Sequence, residues 1–210
     1  MGSTLLQPVE VKMFTRLFIV MTVLTIMVSA CAPSGGTEVS SNQAVKDELG
    51  PIMRAIFSGI VTDQLSVIQY TKVGCANQDG LGGPPKCPEG VAEGTVVEVF
   101  PVLGSEGSFS SPAEMENLLT NTSLKGLYAV YRVTPNPNIK PYYPEGEYAM
   151  VFERDINDQS LPIILRVQDG MIVRMDFRFG ITPEEILKEI PVADVIIVPQ
   201  EAKAWTEAVR

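Results

Sequence analysis

Residues 161–180 are LPIILRVQDGMIVRMDFRFG, two alternating apolar and polar runs on either side of Gln168-Asp169-Gly170. Such alternation is typical of β-strands, and Asp-Gly between two strands is typical of a tight hairpin turn. A two-residue loop would place Leu165 opposite Arg174 and mix polar with apolar side chains on both faces. A three-residue loop with Gly170 in a bulge makes one face wholly apolar. The sequence therefore predicts strands 161–167 and 171–179 with the pairs Val167–Met171, Leu165–Val173, Ile163–Met175 and Leu161–Phe177.

Two helices are expected before this hairpin. Residues 40–58 carry apolar side chains at helical spacing behind a capping box, and Gly50-Pro51 inside this run is expected to kink or restart the helix. A shorter helix is expected to reach Ile68, with Thr62 or Asp63 as its N-cap. These helices are available to cover the apolar face of the hairpin.

Two later helices are marked by a shared local pattern. Ser111-Pro112 and Thr182-Pro183 each place a hydroxyl at the N-cap and proline at N1, with glutamate at N3. Segments rich in β-branched and aromatic residues predict further strands at 69–73, 95–101, 126–134 and 147–154. The order of these elements predicts an α+β domain, in which a curved antiparallel sheet of five to six strands packs on the N-terminal helices.

This order of elements and the final hairpin resemble the NTF2-like, or cystatin-like cone, superfamily. The resemblance covers residues 43–180 and implies a curved sheet that wraps a long helix; the alternative is another small antiparallel α+β sandwich. Some members of the superfamily are isomerases or dehydratases that place Asp, Tyr or His in the cone cavity. The predicted register puts Asp176 on the polar face of the hairpin, away from the helices. We therefore expect no catalytic residue, although the strands also contain Tyr128, Tyr131 and Tyr148.

Residues 13–31 resemble the export signal of bacterial lipoproteins. Basic residues precede the apolar run Leu17–Val28, which is shorter than the roughly 20 helical residues that cross a bilayer. Val28-Ser29-Ala30-Cys31 is similar to a lipobox. The resemblance implies cleavage before Cys31 and acylation of that cysteine with palmitate or a similar fatty acid. The expected location is the outer membrane, or the outer face of the plasma membrane where there is no outer membrane.

The composition excludes several kinds of function. The chain carries a formal charge of −9 and contains no histidine. A net negative surface repels phosphate backbones, so nucleic acid is not an expected partner. Without histidine, the chain cannot form a Ser-His-Asp triad or a three-His zinc site. We expect no cofactor and no metal.

Cys75 and Cys87 remain as a pair once Cys31 is acylated. The segment between them, ANQDGLGGPPK, is rich in glycine and proline and suits a loop that doubles back. In an oxidising compartment such a pair predicts a structural disulfide. The alternative, a metal site, lacks further ligands at recognisable spacing.

Two further features suggest a partner-binding surface. The polar face of the predicted hairpin carries Arg166, Arg174 and Arg178. These arginines either bind an anion or a partner or, as we favour, are exposed cations paired with nearby acids.

Residues 135–146 form a long loop with four prolines and the pair Tyr142-Tyr143. Loops of this length are often functional. Tyr142 and Tyr143 are accordingly candidate contacts to a partner, with an ordinary rigid connector as the alternative.

These interpretations give one organisation of the chain. Residues 1–30 are expected to be a signal peptide, with translation starting at Met1 or Met13, and 31–41 a lipidated tether. Residues 42–190 are expected to form one α+β domain, followed by an extension at 191–210. The expected function is a membrane-anchored, non-catalytic domain that binds an envelope protein or a small ligand. The alternatives are an isomerase- or dehydratase-like enzyme and a purely structural envelope protein.

The lipid anchor can be tested at a single position. Cys31→Ser should move the protein into the soluble fraction and abolish labelling by a fatty-acid probe, because the apolar run alone is too short to hold it. Membrane fractionation of cells expressing each form measures the outcome. Retention of the Cys31→Ser protein in the membrane would contradict the prediction.

Overall fold

A computed structural model describes residues 37–210 except 79, 81, 157 and 158. The expected signal peptide and the lipidation site at Cys31 lie outside the described residues. The chain divides into two units, Met1–Ser41 and Asn42–Arg210. All of the strands among the described residues lie in the second unit.

The described residues form five α-helices and eight strands. The helices are α1 (Thr37–Phe57), α2 (Val61–Ser66), α3 (Pro112–Thr120), α4 (Pro183–Lys188) and α5 (Pro199–Val209), with one 3-10 turn at Val192–Asp194. The strands are β1 (Thr71–Gly74), β2 (Val96–Leu103), β3 (Gly107–Ser110), β4 (Gly126–Arg132), β5 (Tyr148–Ile156), β6 (Gln159–Gln168), β7 (Met171–Phe177) and β8 (Val195–Ile197). The capping boxes expected at Ser111 and Thr182 are present, at the starts of α3 and α4. The capping box expected at Ser40 is absent, because α1 begins at Thr37 and Ser40 lies inside the helix.

The strands form one mostly antiparallel sheet in the order β1-β2-β7-β6-β5-β4-β8, with β3 paired to β2 beside this path. Only the pairing of β2 with β7 among the named strands is parallel. The α+β class and the antiparallel character of the sheet are confirmed. The predicted count of five to six strands is too low, because β3 and β8 have only four and three residues.

The central hairpin has a register that differs from the prediction. Gln168 pairs with Met171 across a two-residue turn, in which Asp169 and Gly170 have φ of 51° and 69°. The register then shifts between Arg166 and Val167, so that Val173 has no directly paired residue. The shift restores apolar pairs further along, namely Leu165–Met175 and Ile163–Phe177. The predicted three-residue loop is wrong, since the extra residue lies in a bulge inside β7.

Helices cover the first face of the sheet. Leu49, Ile52 and Met53 of α1 are fully buried against side chains of β2 and β4–β7. These contacts flank Pro51, which removes one backbone hydrogen bond of the helix. The expected restart at Gly50-Pro51 is absent, since α1 is one continuous helix with Pro51 inside it. Packing on both sides of the proline holds the helix together.

The second face of the sheet is also covered. Ile186 of α4 is buried against side chains that include Tyr131, Val151 and Ile164.

The C-terminal segment adds β8 to the edge of β4, and Thr206 of α5 accepts a hydrogen bond from the Leu127 backbone N–H at 3.1 Å. The segment expected as an extension is thus part of the domain's sheet and core.

Gly170→Ala should lower the free energy of unfolding by about 1 kcal/mol, because a Cβ is disfavoured at positive φ. Urea or thermal unfolding measures the change. Gly104→Ala between β2 and β3 is the control, since Gly104 has no positive φ and the nearest atom to an added Cβ is a Phe179 ring carbon at 3.6 Å, so its effect should be smaller than about 0.5 kcal/mol. Equal effects of the two substitutions would contradict the assigned turn.

Candidate functional site

Three segments that are far apart in sequence meet at one surface. They are the disulfide loop (75–87), the β2–β3 hairpin (96–110) and the Pro/Tyr loop (135–146), and together we call them the loop cluster. The Tyr143 ring stacks on Phe109 with centroids 5.0 Å apart, and the Tyr142 ring lies edge-on to Tyr143 at 5.1 Å. The Tyr142 hydroxyl and the Lys140 ammonium donate to the Gly82 carbonyl at 3.2 Å and 3.3 Å. The Pro/Tyr loop therefore joins the other two segments.

The disulfide loop is closed by the predicted bond between Cys75 and Cys87, which the structure confirms. Inside it, the Ala76 N–H donates to the Pro85 carbonyl, and the Cys87 N–H donates to the Ala76 carbonyl, both at 2.9 Å. Closing a loop of this size stabilises a fold by about 3 kcal/mol in the chain-entropy model. The covalent bond and these backbone contacts define one side of the loop cluster.

A cleft of about 610 Å³ separates the disulfide loop from the β2–β3 hairpin and the start of α3. Its volume is in the range of small-ligand and peptide sites. The apolar part of the lining consists of Pro84, Pro85, Pro88, Val97, Val99 and Phe109. The charged part consists of Glu98, Glu106, Glu114 and Lys86. The cleft thus combines apolar surface with a majority of negative charge.

A buried ionic cluster lies on the second face of the sheet. Arg174 donates from Nε to Asp176 Oδ1 at 2.7 Å and from Nη2 to Oδ2 at 3.1 Å. Arg166 donates from Nε to the same Oδ2 at 2.9 Å. The remaining Arg174 nitrogen, Nη1, donates to the Tyr143 carbonyl at 3.1 Å. The guanidinium of Arg174 therefore links the centre of the sheet to the backbone of the Pro/Tyr loop.

The structure corrects the predicted position of Asp176 and Arg174. Both were expected on an exposed polar face, but their exposed fractions are 5% and 1%. Because α4 and the Pro/Tyr loop cover parts of this face, the alternating polar residues had to pair with one another. The favoured interpretation of exposed cations is wrong for Arg174, whereas the expected pairing with Asp176 is present.

The other candidate partner contacts are distributed unevenly. Tyr143 is 5% exposed, so its ring is packed into the protein rather than offered to a partner. Tyr142 is half-buried, the Arg166 side chain is 16% exposed, and Arg178 is exposed. Arg178 has no carboxylate within 4 Å among the described residues. Partner binding stays a prediction for Tyr142, Arg166 and Arg178.

Burial controls the ionisation of the tyrosines nearby. It raises the pKa of Tyr131, and the attraction of Arg166 only partly opposes this effect. Burial also raises the pKa of Tyr143. Since tyrosine already titrates near pH 10, both phenols remain protonated at neutral pH. They can donate hydrogen bonds but are poor general bases.

The helical face of the sheet leaves little space for a substrate. A cavity of about 40 Å³ lies there, and among the described residues its only polar lining side chains are Gln64 and Thr122. The residues considered for catalysis are not gathered around it. Tyr131 and Asp176 lie on the opposite face of the sheet, and Tyr128 packs there against the buried apolar side chains around Ile186. Tyr148 packs against the helical core but does not line this cavity.

No helix in the described part of the chain is both long and apolar enough to cross a bilayer. No group of three or more Cys, Asp or Glu side chains in it is arranged to hold a metal ion. Comparison with protein-family models, with curated proteins and with solved structures finds no match for this chain.

The cleft has no local signature in the sequence. Its lining includes Phe109, Glu98 and Glu106, which lie in or next to β2 and β3. The short polar segment GSEGS (104–108) is the one local signal for a hairpin there. The prolines at 84 and 85 were interpreted only as turn formers. Nothing local in the sequence indicates that these segments face one another.

Asp176→Asn should lower the free energy of unfolding by about 3 kcal/mol, because two arginines would keep their buried charges without a carboxylate. Chemical denaturation measures the change. Glu98→Gln is the matched control, since Glu98 pairs with Lys72 at 3.4 Å on the surface and should contribute less than about 1 kcal/mol. Similar losses for both variants would show that the buried cluster has no special role.

Proposed function

We propose that this chain is an exported lipoprotein, anchored through acylated Cys31, whose domain binds a protein partner through the loop cluster without catalysing a reaction. The observation that carries the binding part is the cleft of about 610 Å³ between the disulfide loop and the β2–β3 hairpin. An envelope protein is favoured over a small ligand because this cleft lies beside strand β3, which is suited to contacts with another chain.

The Cys75–Cys87 disulfide supports the exported location. Such bonds persist in oxidising compartments and are rare in the bacterial cytoplasm. The lipobox-like residues Val28–Cys31 supply the anchor in this proposal. The charge of the chain beyond the signal, with 24 acidic and 14 basic residues, makes direct adhesion to anionic lipid unfavourable. A covalent lipid is therefore the proposed contact with the membrane.

We also propose that the domain belongs among the NTF2-like folds. In support, the long α1 packs across one face of a mostly antiparallel sheet through Leu49, Ile52 and Met53. The isomerase- or dehydratase-like alternative needs an acid or base in a cavity on this face. The 40 Å³ cavity there has no carboxylate or tyrosine in its lining, so the binding function is the better supported of the two.

Obstruction of the cleft tests the proposal. Ser108 is exposed, lines the cleft, and donates its hydroxyl to the Val102 carbonyl at 3.3 Å. Ser108→Trp should fill the cleft with little effect on stability, since aromatic residues suit strands. Co-purification from native membranes should recover a partner with the wild-type protein and lose it with Ser108→Trp.

Ser66→Trp is the matched control for this experiment. Ser66 is also exposed and donates its hydroxyl to a backbone carbonyl, that of Asp63, but it lies on α2 outside the loop cluster. This variant should retain the partner. Loss of the partner from both variants, or from neither, would refute the proposed surface.

A further inference from the structure

We infer that the occupant of this cleft is an extended segment of the partner chain that carries lysine or arginine between apolar residues. This inference rests on the proposed function and deepens it by naming the chemistry of the partner. Its basis is the charge of the cleft, its apolar lining and the short strand beside it.

The charge of the cleft selects a cation. Three glutamates line it, and Lys86 is the only basic side chain among its described lining residues. Glu114 holds its carboxylate against the Ser111 backbone N–H at 2.8 Å, which fixes one negative charge at the start of α3. Glu106 is exposed, and Glu98 is exposed beside Lys72, whose ammonium lies 3.4 Å from its carboxylate. Opposite charges across an interface orient the partner and raise the rate of association.

The apolar lining and the adjacent strand favour an extended peptide. Three of the four residues of β3, Gly107 to Phe109, line the cleft. Within the described residues, β3 pairs with no strand other than β2. An incoming strand can pair with such an edge, and its alternate side chains then face opposite ways. Such a segment would offer apolar side chains to the prolines and Phe109 and basic side chains to the glutamates of the lining.

Fluorescence anisotropy with short labelled peptides tests the inference. The probe is a peptide in which lysine and valine alternate, and the charge-reversed probe has glutamate in place of lysine. The full domain should bind the first more tightly than the second, and added salt should weaken this binding. Glu98→Gln with Glu106→Gln should weaken binding of the lysine peptide about tenfold, through the loss of two charge contacts.

A second double variant makes the test specific. Glu189→Gln with Glu207→Gln changes the net charge equally at exposed residues outside the cleft, and it should leave binding within about twofold of the wild type.

The outcomes separate this inference from the proposed function. Equal binding of both peptides, no binding of either, or equal losses in the two double variants would overturn the basic segment. If Ser108→Trp still abolishes capture of the native partner in those cases, the proposed binding surface stands with a different occupant. If no partner depends on Ser108, the proposed function fails whatever the peptides do.

Discussion

The bidentate contact of Arg174 with Asp176 is the constraint on which the loop cluster depends. Both residues are in β7, which lies between β2 and β6 near the centre of the sheet. Their burial is tolerable only because each polar atom finds a partner, and one of those partners is the backbone of the Pro/Tyr loop at Tyr143. The rigid sheet thereby fixes a loop that would otherwise be a long connector.

The Pro/Tyr loop in turn positions the other two segments of the loop cluster. Once the Tyr143 backbone is held by Arg174, its ring stacks on Phe109 and its neighbour Tyr142 bonds to Gly82. The β2–β3 hairpin and the disulfide loop are therefore positioned by the same segment. The Cys75–Cys87 disulfide further limits the freedom of the disulfide loop, so this side of the cleft is held both by the covalent bond and by the Pro/Tyr loop. A binding site built on such supports loses little conformational entropy when it is occupied.

The sequence predicted most of the elements, because their signals are local. The capping boxes at Ser111 and Thr182 depend on residues three positions apart, and strand alternation is visible within one segment. The register of the central hairpin was predicted incorrectly for a specific reason. A bulge at Val173 and a bulge in the turn give equally apolar faces, so the hydrophobic pattern alone does not choose between them.

The sequence by itself determined the α+β class, the disulfide pair and the expectation of an exported chain, since each follows from patterns within short segments or from composition. Only the tertiary structure decided that Arg174, Asp176 and Tyr143 are buried, because a second covering layer on the sheet changes which polar residues face water. It also decided where the cleft lies. The cleft forms between segments around residues 84, 98 and 109, and contacts between such distant segments depend on how the whole sheet pairs rather than on any local pattern.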